Sequence, residues 1–126
     1  MKEVMAVIRM RMMNKTKRAL AEAGISSITG KDVLGRGNTH IDHSLLEGAR
    51  AGHEEALDLL GASQRLIAKR MLSVVVPDKL VSRTVKTIIN VNRTGQSGDG
   101  RIFVMPVIDA IRVRTGESGD AAIDEV

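Results

Sequence analysis

The chain contains no cysteine, no tryptophan and no tyrosine, and Phe103 is its one aromatic residue of the Phe, Trp and Tyr set. Lack of cysteine excludes disulfide staples, thiolate metal sites and thiol catalysis, and agrees with a reducing cytoplasm. Lack of aromatics requires a core of Val, Ile, Leu, Ala and Met. It also argues against an RNA-binding sheet, which stacks bases on two or three aromatic rings. No apolar run approaches the ~18 residues of a membrane helix. Met1-Lys2-Glu3 passes straight into an alternating segment without the apolar block of a signal peptide. The expectation is a soluble, cytoplasmic chain with no membrane insertion and no nucleic-acid partner.

What is present suits one domain. The 126 residues are 43% hydrophobic and 27% charged, near the globular average. A net charge of +4 and a pI near 9.9 admit phosphorylated ligands, nucleic acid or an acidic protein surface.

Val4, Ala6 and Ile8 alternate with Met5 and Val7, which predicts a strand over 3–9. Asn14 reads as a helix N-cap, Ala19, Leu20 and Ala23 recur at helical spacing, and Gly24 suits a left-handed C-terminal cap. A second strand is expected over 27–34, stopping at Gly35-Arg36-Gly37. Met71–Val76 is a β-branched run ended by Pro77. Asp78 then reads as the cap of a helix striped by Val81, Val85, Ile88 and Ile89. Ile102-Phe103-Val104 restores a strand, and the strict alternation of Ile111-Arg112-Val113-Arg114 predicts a short final one. The order βαβ, long loop, βαβ is that of an α+β, ferredoxin-like split βαβ fold: an antiparallel sheet with both helices on one face. Its other face needs cover, and a cyclic homo-oligomer is the simplest form of it.

Four features could carry chemistry. The stretch from Gly35 to Ala68 exceeds the ~12–15 residues usual for loops in compact domains. Its interior has partial helical periodicity broken by Gly48, Gly52 and Gly61. It reads as a segment mobile alone and ordered on a partner, or as a small helical insertion packed on the domain. The loop Thr94–Arg101 brackets four residues between Gly95 and Gly100 like the start of a P-loop. Arg101-Ile102 stands where Lys and Ser or Thr belong, and helix precedes loop rather than following it. What survives is glycine-exposed amides beside a guanidinium, suited to phosphate, or else merely a tight connection. Arg112 and Arg114, on one face of a strand, would repel unless an anion sat between them, or else form a solvated edge; Arg93 and Arg101 join them as candidates for a polyphosphate site. His40, His43 and His53, with Asp42 and Glu47, match no zinc spacing. No nucleophile elbow or His–carboxylate pairing is recognisable, so a binding protein rather than an enzyme is expected.

Thr94-Gly95-Gln96-Ser97-Gly98-Asp99-Gly100-Arg101-Ile102-Phe103-Val104, followed by Ile111-Arg112-Val113-Arg114-Thr115-Gly116-Glu117, closely resembles the C-terminal signature of the PII signal-transduction proteins. Agreement extends to Ala19–Gly24, to Val33–Gly37 and to Val74–Asp78. The resemblance implies a trimer of ferredoxin-like subunits, with ATP or ADP in each inter-subunit cleft. A T-loop, here 35–68, would change shape with ligand, and 117–126 would form a C-terminal tail. Gly98, Asp99, Gly100 and Arg101 would hold phosphates, Arg112 and Arg114 would reach them from the neighbouring subunit, Thr29 and Val75 would line the adenine, and Gly35 and Gly37 would contribute backbone. Gly37, Thr39 and Lys69 would form the 2-oxoglutarate site. Arg101 replaces the usual Lys, and Thr39 stands where ordinary members carry the Gln that ligates magnesium, leaving the metal ligands unassigned. Absence of tyrosine removes the uridylylation switch of enteric relatives. The Met-rich start and extended loop resemble the nitrogenase-regulating branch, in which two unlike paralogues act on the dinitrogenase component; this chain is similar to the second, longer-looped type. An ordinary PII regulator of an ammonium channel or an assimilation enzyme is the alternative.

Overall fold

The N-terminal alternation forms β1, Lys2–Arg9, with Val4, Ala6 and Ile8 buried and the residues between them partly exposed. The computed structural model describes residues 1–35 and 66–123. The chain divides into two compact units, 1–33 with 69–126, and 34–68. Of the second, Leu34, Gly35, Leu66, Ile67 and Ala68 are described.

After β1 the chain winds through a 3-10 turn, Met10–Met12, into α1, Met13–Glu22. Asn14 therefore lies inside the helix and does not cap it. Met12 holds the N-cap position with no side-chain bond, and the Met13 amide donates to the Met10 carbonyl. The preceding turn supplies the acceptor that a capping side chain would have offered. Gly24 does close the helix, at φ +88, and the Ile25 amide reaches back 2.8 Å to the Leu20 carbonyl. That six-to-one bond is the Schellman pattern, and it drives Ile25 into the core.

β2 runs Thr29–Gly35 and β3 Ile67–Val76, longer at its start than the β-branched run suggested. A 3-10 turn, Asp78–Leu80, leads into α2, Val81–Asn92. Asp78 makes no capping bond: Pro77 and Leu80 hold the N-cap positions of turn and helix, and the Asp78 carboxylate instead pairs with the Met1 amine at 2.9 Å and accepts from Lys2 Nζ at 3.2 Å. β4, Arg101–Pro106, completes a sheet ordered β2-β3-β1-β4. β1 is central and antiparallel to both neighbours: Lys2 lies opposite Val76 and Pro106, Arg9 opposite Lys69, and Val7 opposite Arg101.

The core joins Val4, Ala6, Ile8, Leu72, Val74 and Val76 of the sheet to Leu20, Ile25, Leu80 and Ile88. All are aliphatic, as the composition requires, and they place both helices on one face. The opposite face presents Met5, Val7, Met71, Val75, Phe103 and Met105, with Ser73 Oγ donating to Glu3 Oε2 at 2.5 Å among them. No described element covers that face.

The final strand expected over 111–114 does not form. Ile111 makes only an isolated bridge to Ser118, and the chain turns at 113–115. The Arg112 amide donates to the Glu117 carbonyl (2.8 Å) and the Gly116 amide to the Arg112 carbonyl (2.7 Å). Gly116, at φ +76, reverses the chain before a neighbouring strand could pair with it. Ile108 and Val113 are left fully exposed.

Candidate functional site

The glycine loop links α2 to β4 at the end of the sheet where β1 finishes. At Gly100 the backbone has φ +114, and a Cβ there would stand 2.2 Å from the Val7 carbonyl oxygen. Only glycine lets the loop lie this close to β1. A Cβ on Gly98, at φ +96, would meet the Arg9 guanidinium at 3.1 Å.

Asp99 ties the loop from within. Its carboxylate accepts from the Thr94 amide (2.7 Å), the Gly95 amide (2.9 Å), the Thr94 hydroxyl and Arg9 Nη1 (2.9 Å). The Thr94 hydroxyl and amide, helped by Arg9 and the Gly95 amide, hold this carboxyl far below the usual carboxylate range against partial desolvation. It is ionised at neutral pH and turned into the loop rather than out of it. The Gln96 amide is taken by Thr94 Oγ1 at 3.2 Å.

Two cations of the sheet end hold loop carbonyls. Arg9 Nη2 donates to Ser97 O at 3.1 Å and Lys69 Nζ to Gly98 O at 3.5 Å. Arg9 and Lys69 are themselves cross-strand partners. Arg101, exposed at the start of β4, makes no ion pair among the described residues. Lys69, Gly98, Asp99, Gly100 and Arg101 thus meet in one protomer. Sequence reasoning missed Arg9 and named Thr94 only as the start of the loop; both organise it, Arg9 from β1 and Thr94 through Asp99.

Other expected residues lie elsewhere. Val75 pairs with Glu3, six residues along β3 from Lys69, or roughly 20 Å. Thr29 opens β2, whose next residue, Gly30, lies beside the Met71 carbonyl near the middle of β3. Arg112 and Arg114 follow the far end of β4, where Pro106 faces Lys2, and Arg112 pairs with Glu117 at 3.3 Å. Arg114 is exposed in the turn. Gly35 ends β2, while Gly37, Thr39, His40, Asp42, His43, Glu47 and His53 lie outside the described residues. Among the described residues no three His, Asp or Glu side chains cluster to hold a metal, and no helix is long and apolar enough to cross a membrane.

The split βαβ protomer thus carries its glycine loop at one end of the sheet. The chain belongs to the family of the nitrogen regulatory protein P-II, whose family model matches residues 1–117. It is 47% identical to the nitrogen fixation nifHD region GlnB-like protein 2 of Methanobacterium ivanovii, covering 98% of this chain and 99% of the relative. It is 44% identical to the corresponding protein of Methanococcus maripaludis, over 98% and 100%. It is 40% identical to nitrogen regulatory protein P-II 1 of Escherichia coli K12, over 98% and 100%. The structure of Arabidopsis thaliana PII bound to citrate matches with a TM-score of 0.73 at 32% identity, covering 99% of this chain and 91% of that one. The chain is therefore a nitrogen-regulatory signal protein and not an enzyme, with the α+β fold expected.

Proposed function

We propose that this protein senses ATP or ADP together with 2-oxoglutarate and controls nitrogenase by binding the dinitrogenase component through its T-loop, residues 35–68. The observation that carries the nucleotide half is the loop of Gly98, Gly100 and Arg101, gathered beside Lys69 at one end of the sheet. The nitrogenase half is supported by similarity to proteins of the nitrogen fixation nifHD region. The described residues offer no side-chain cage of three His, Asp or Glu for magnesium.

One protomer does not bring all the expected ligand contacts together. Gly98–Arg101 sit at one end of the eight-residue β1, while β4 ends at Pro106 beside Lys2, roughly 25 Å along the strand, and Arg112 and Arg114 follow from there. A neighbouring copy supplying Arg112 and Arg114 would complete the cradle, and a trimer with its uncovered sheet faces turned inward would bury Met5, Phe103 and Met105. Pairing with a PII-like paralogue would use the same faces.

The mechanism is linkage. ATP and 2-oxoglutarate favour one T-loop conformation and the nitrogenase component another, so each weakens the other's binding. Calorimetry should show ATP binding, with Arg101→Ala costing on the order of 1.5–3 kcal/mol. It should also show target affinity reduced when 2-oxoglutarate joins ATP; unchanged target affinity would overturn the regulatory reading. Similarity to the E. coli regulator supports a second reading, an ordinary PII protein acting on an ammonium channel or an assimilation enzyme. Pull-down from a nitrogen-fixing extract separates the two: nitrogenase subunits for the first, a channel or enzyme for the second.

A further inference from the structure

Arg9 stands at the end of β1, and its guanidinium grips the glycine loop at two points: Nη1 on Asp99 Oδ1 (2.9 Å) and Nη2 on Ser97 O (3.1 Å). Lys69 adds a third hold on Gly98 O. Peptide units are planar and, among the described residues, never cis, so each carbonyl and the N–H of the next residue point in opposite directions. A Ser97 carbonyl drawn onto Arg9 turns the Gly98 amide away from that guanidinium. A Gly98 carbonyl drawn onto Lys69 likewise turns the Asp99 amide away from the ammonium. Neither amide donates to a protein group among the described residues. Successive outward amides of this kind form a concave donor set for an anion.

Charge leads to the same residue. Asp99 places a full negative charge inside a loop read as a phosphate cradle, where it would repel the ligand. Arg9 lies against that carboxylate and cancels it, with 20% of its own side chain and 23% of Asp99's exposed.

We infer that Arg9 is a positioning residue of the nucleotide site, acting through the Asp99 carboxylate and the Ser97 carbonyl to aim the Gly98 and Asp99 amides at the phosphates, without itself touching them. The inference rests on the nucleotide reading above. It gives Asp99 two separate roles: its carboxylate holds the loop and its backbone amide receives the ligand.

The test is a double-mutant cycle read by calorimetry with ATP. Arg9→Met should weaken ATP binding by about tenfold or more, since it frees the loop and uncovers the carboxylate. Arg9→Lys, which keeps a cation able to reach one of the two points, should recover part of that loss. Asp99→Asn placed on Arg9→Met should cost less than the two single losses combined, because both act through one contact. In nitrogen-15 spectra of the full chain, Arg9→Met should erase the ATP-induced shifts of the Gly98 and Asp99 amides while thermal unfolding shows the fold retained. Should Arg9→Met not fold, Arg9→Lys carries the same comparison. Undiminished ATP affinity in both Arg9 variants, or full additivity of the cycle, would overturn the inference. If Arg101→Ala then still weakened ATP, the nucleotide reading would stand without it. A wild-type chain that took up no ATP would overturn both.

Discussion

Gly100 is the tightest single position of the site. A methyl there would drive into the Val7 carbonyl at 2.2 Å, and backbone oxygen in a paired strand cannot swing aside. Gly100→Ala should lower stability by well over ~1 kcal/mol and abolish ATP binding. Gly95→Ala, with nothing within 4 Å of its Cβ, should cost only the ~1–2 kcal/mol of a strained φ. Thermal unfolding of the two variants makes the comparison. Asp99 supplies a pH test. Because folding lowers its pKa, the stability it adds is fully present above the unfolded value of about 3.9 and fades as pH falls below that. Asp99→Asn should therefore be less stable than wild type from about pH 5 to 8, with the gap closing below about pH 4, as acid titration of unfolding would record. The sequence offered the loop's glycines and Arg101 as anion chemistry. It hid Arg9, ninety positions from Asp99, because no local pattern announces a contact that distant. A carboxylate in a glycine loop also reads alike whether it turns outward or, as here, inward.

Between the two helices lies a buried polar clasp; apart from it, Thr84, whose hydroxyl donates to Leu80 O, is the other buried polar residue of the described interior. Asn92 Nδ2 donates to Thr16 Oγ1 (3.1 Å) and to Ile88 O (2.9 Å), and Thr16 Oγ1 donates to Met12 O (2.7 Å). Thr16 and Asn92 are 0% and 5% exposed, so water cannot replace a lost partner. Thr16→Val should cost about 1–3 kcal/mol in urea unfolding, and Thr16→Ser, which keeps the hydroxyl, distinctly less. Strand and helix periodicities were legible because burial imposes them: Val4, Ala6 and Ile8 at period two, Val81, Val85 and Ile88 at helical spacing. Element starts were less so. Neither Asn14 nor Asp78 caps, since a 3-10 turn leads the chain into each helix. Ile111–Arg114 alternates without becoming a strand, because alternation records only which sides differ, and pairing needs a partner that Gly116 turns the chain away from.

For the assembled protein, the proposed reading divides the nucleotide site between two copies. If Arg101 of one copy and Arg114 of the next share a ligand, Arg101→Ala and Arg114→Ala should each lose ATP affinity as pure proteins. Unfolded, mixed and refolded together, they should regain wild-type affinity at about one site in four, where the intact halves meet. No recovery on mixing would place both arginines in one protomer's site. Periodicity carries no information on the number of copies; it marks only which sheet face the described elements leave open.

Phe103 gives that face a practical use. Lacking indole and phenol, the chain is nearly silent in the near ultraviolet. A tryptophan introduced at position 103, 41% exposed on the sheet of an isolated protomer, would then be its only strong fluorophore. Emission from Phe103→Trp should shift to the blue as copies close over the sheet and back to the red on dilution, so assembly could be followed by light alone.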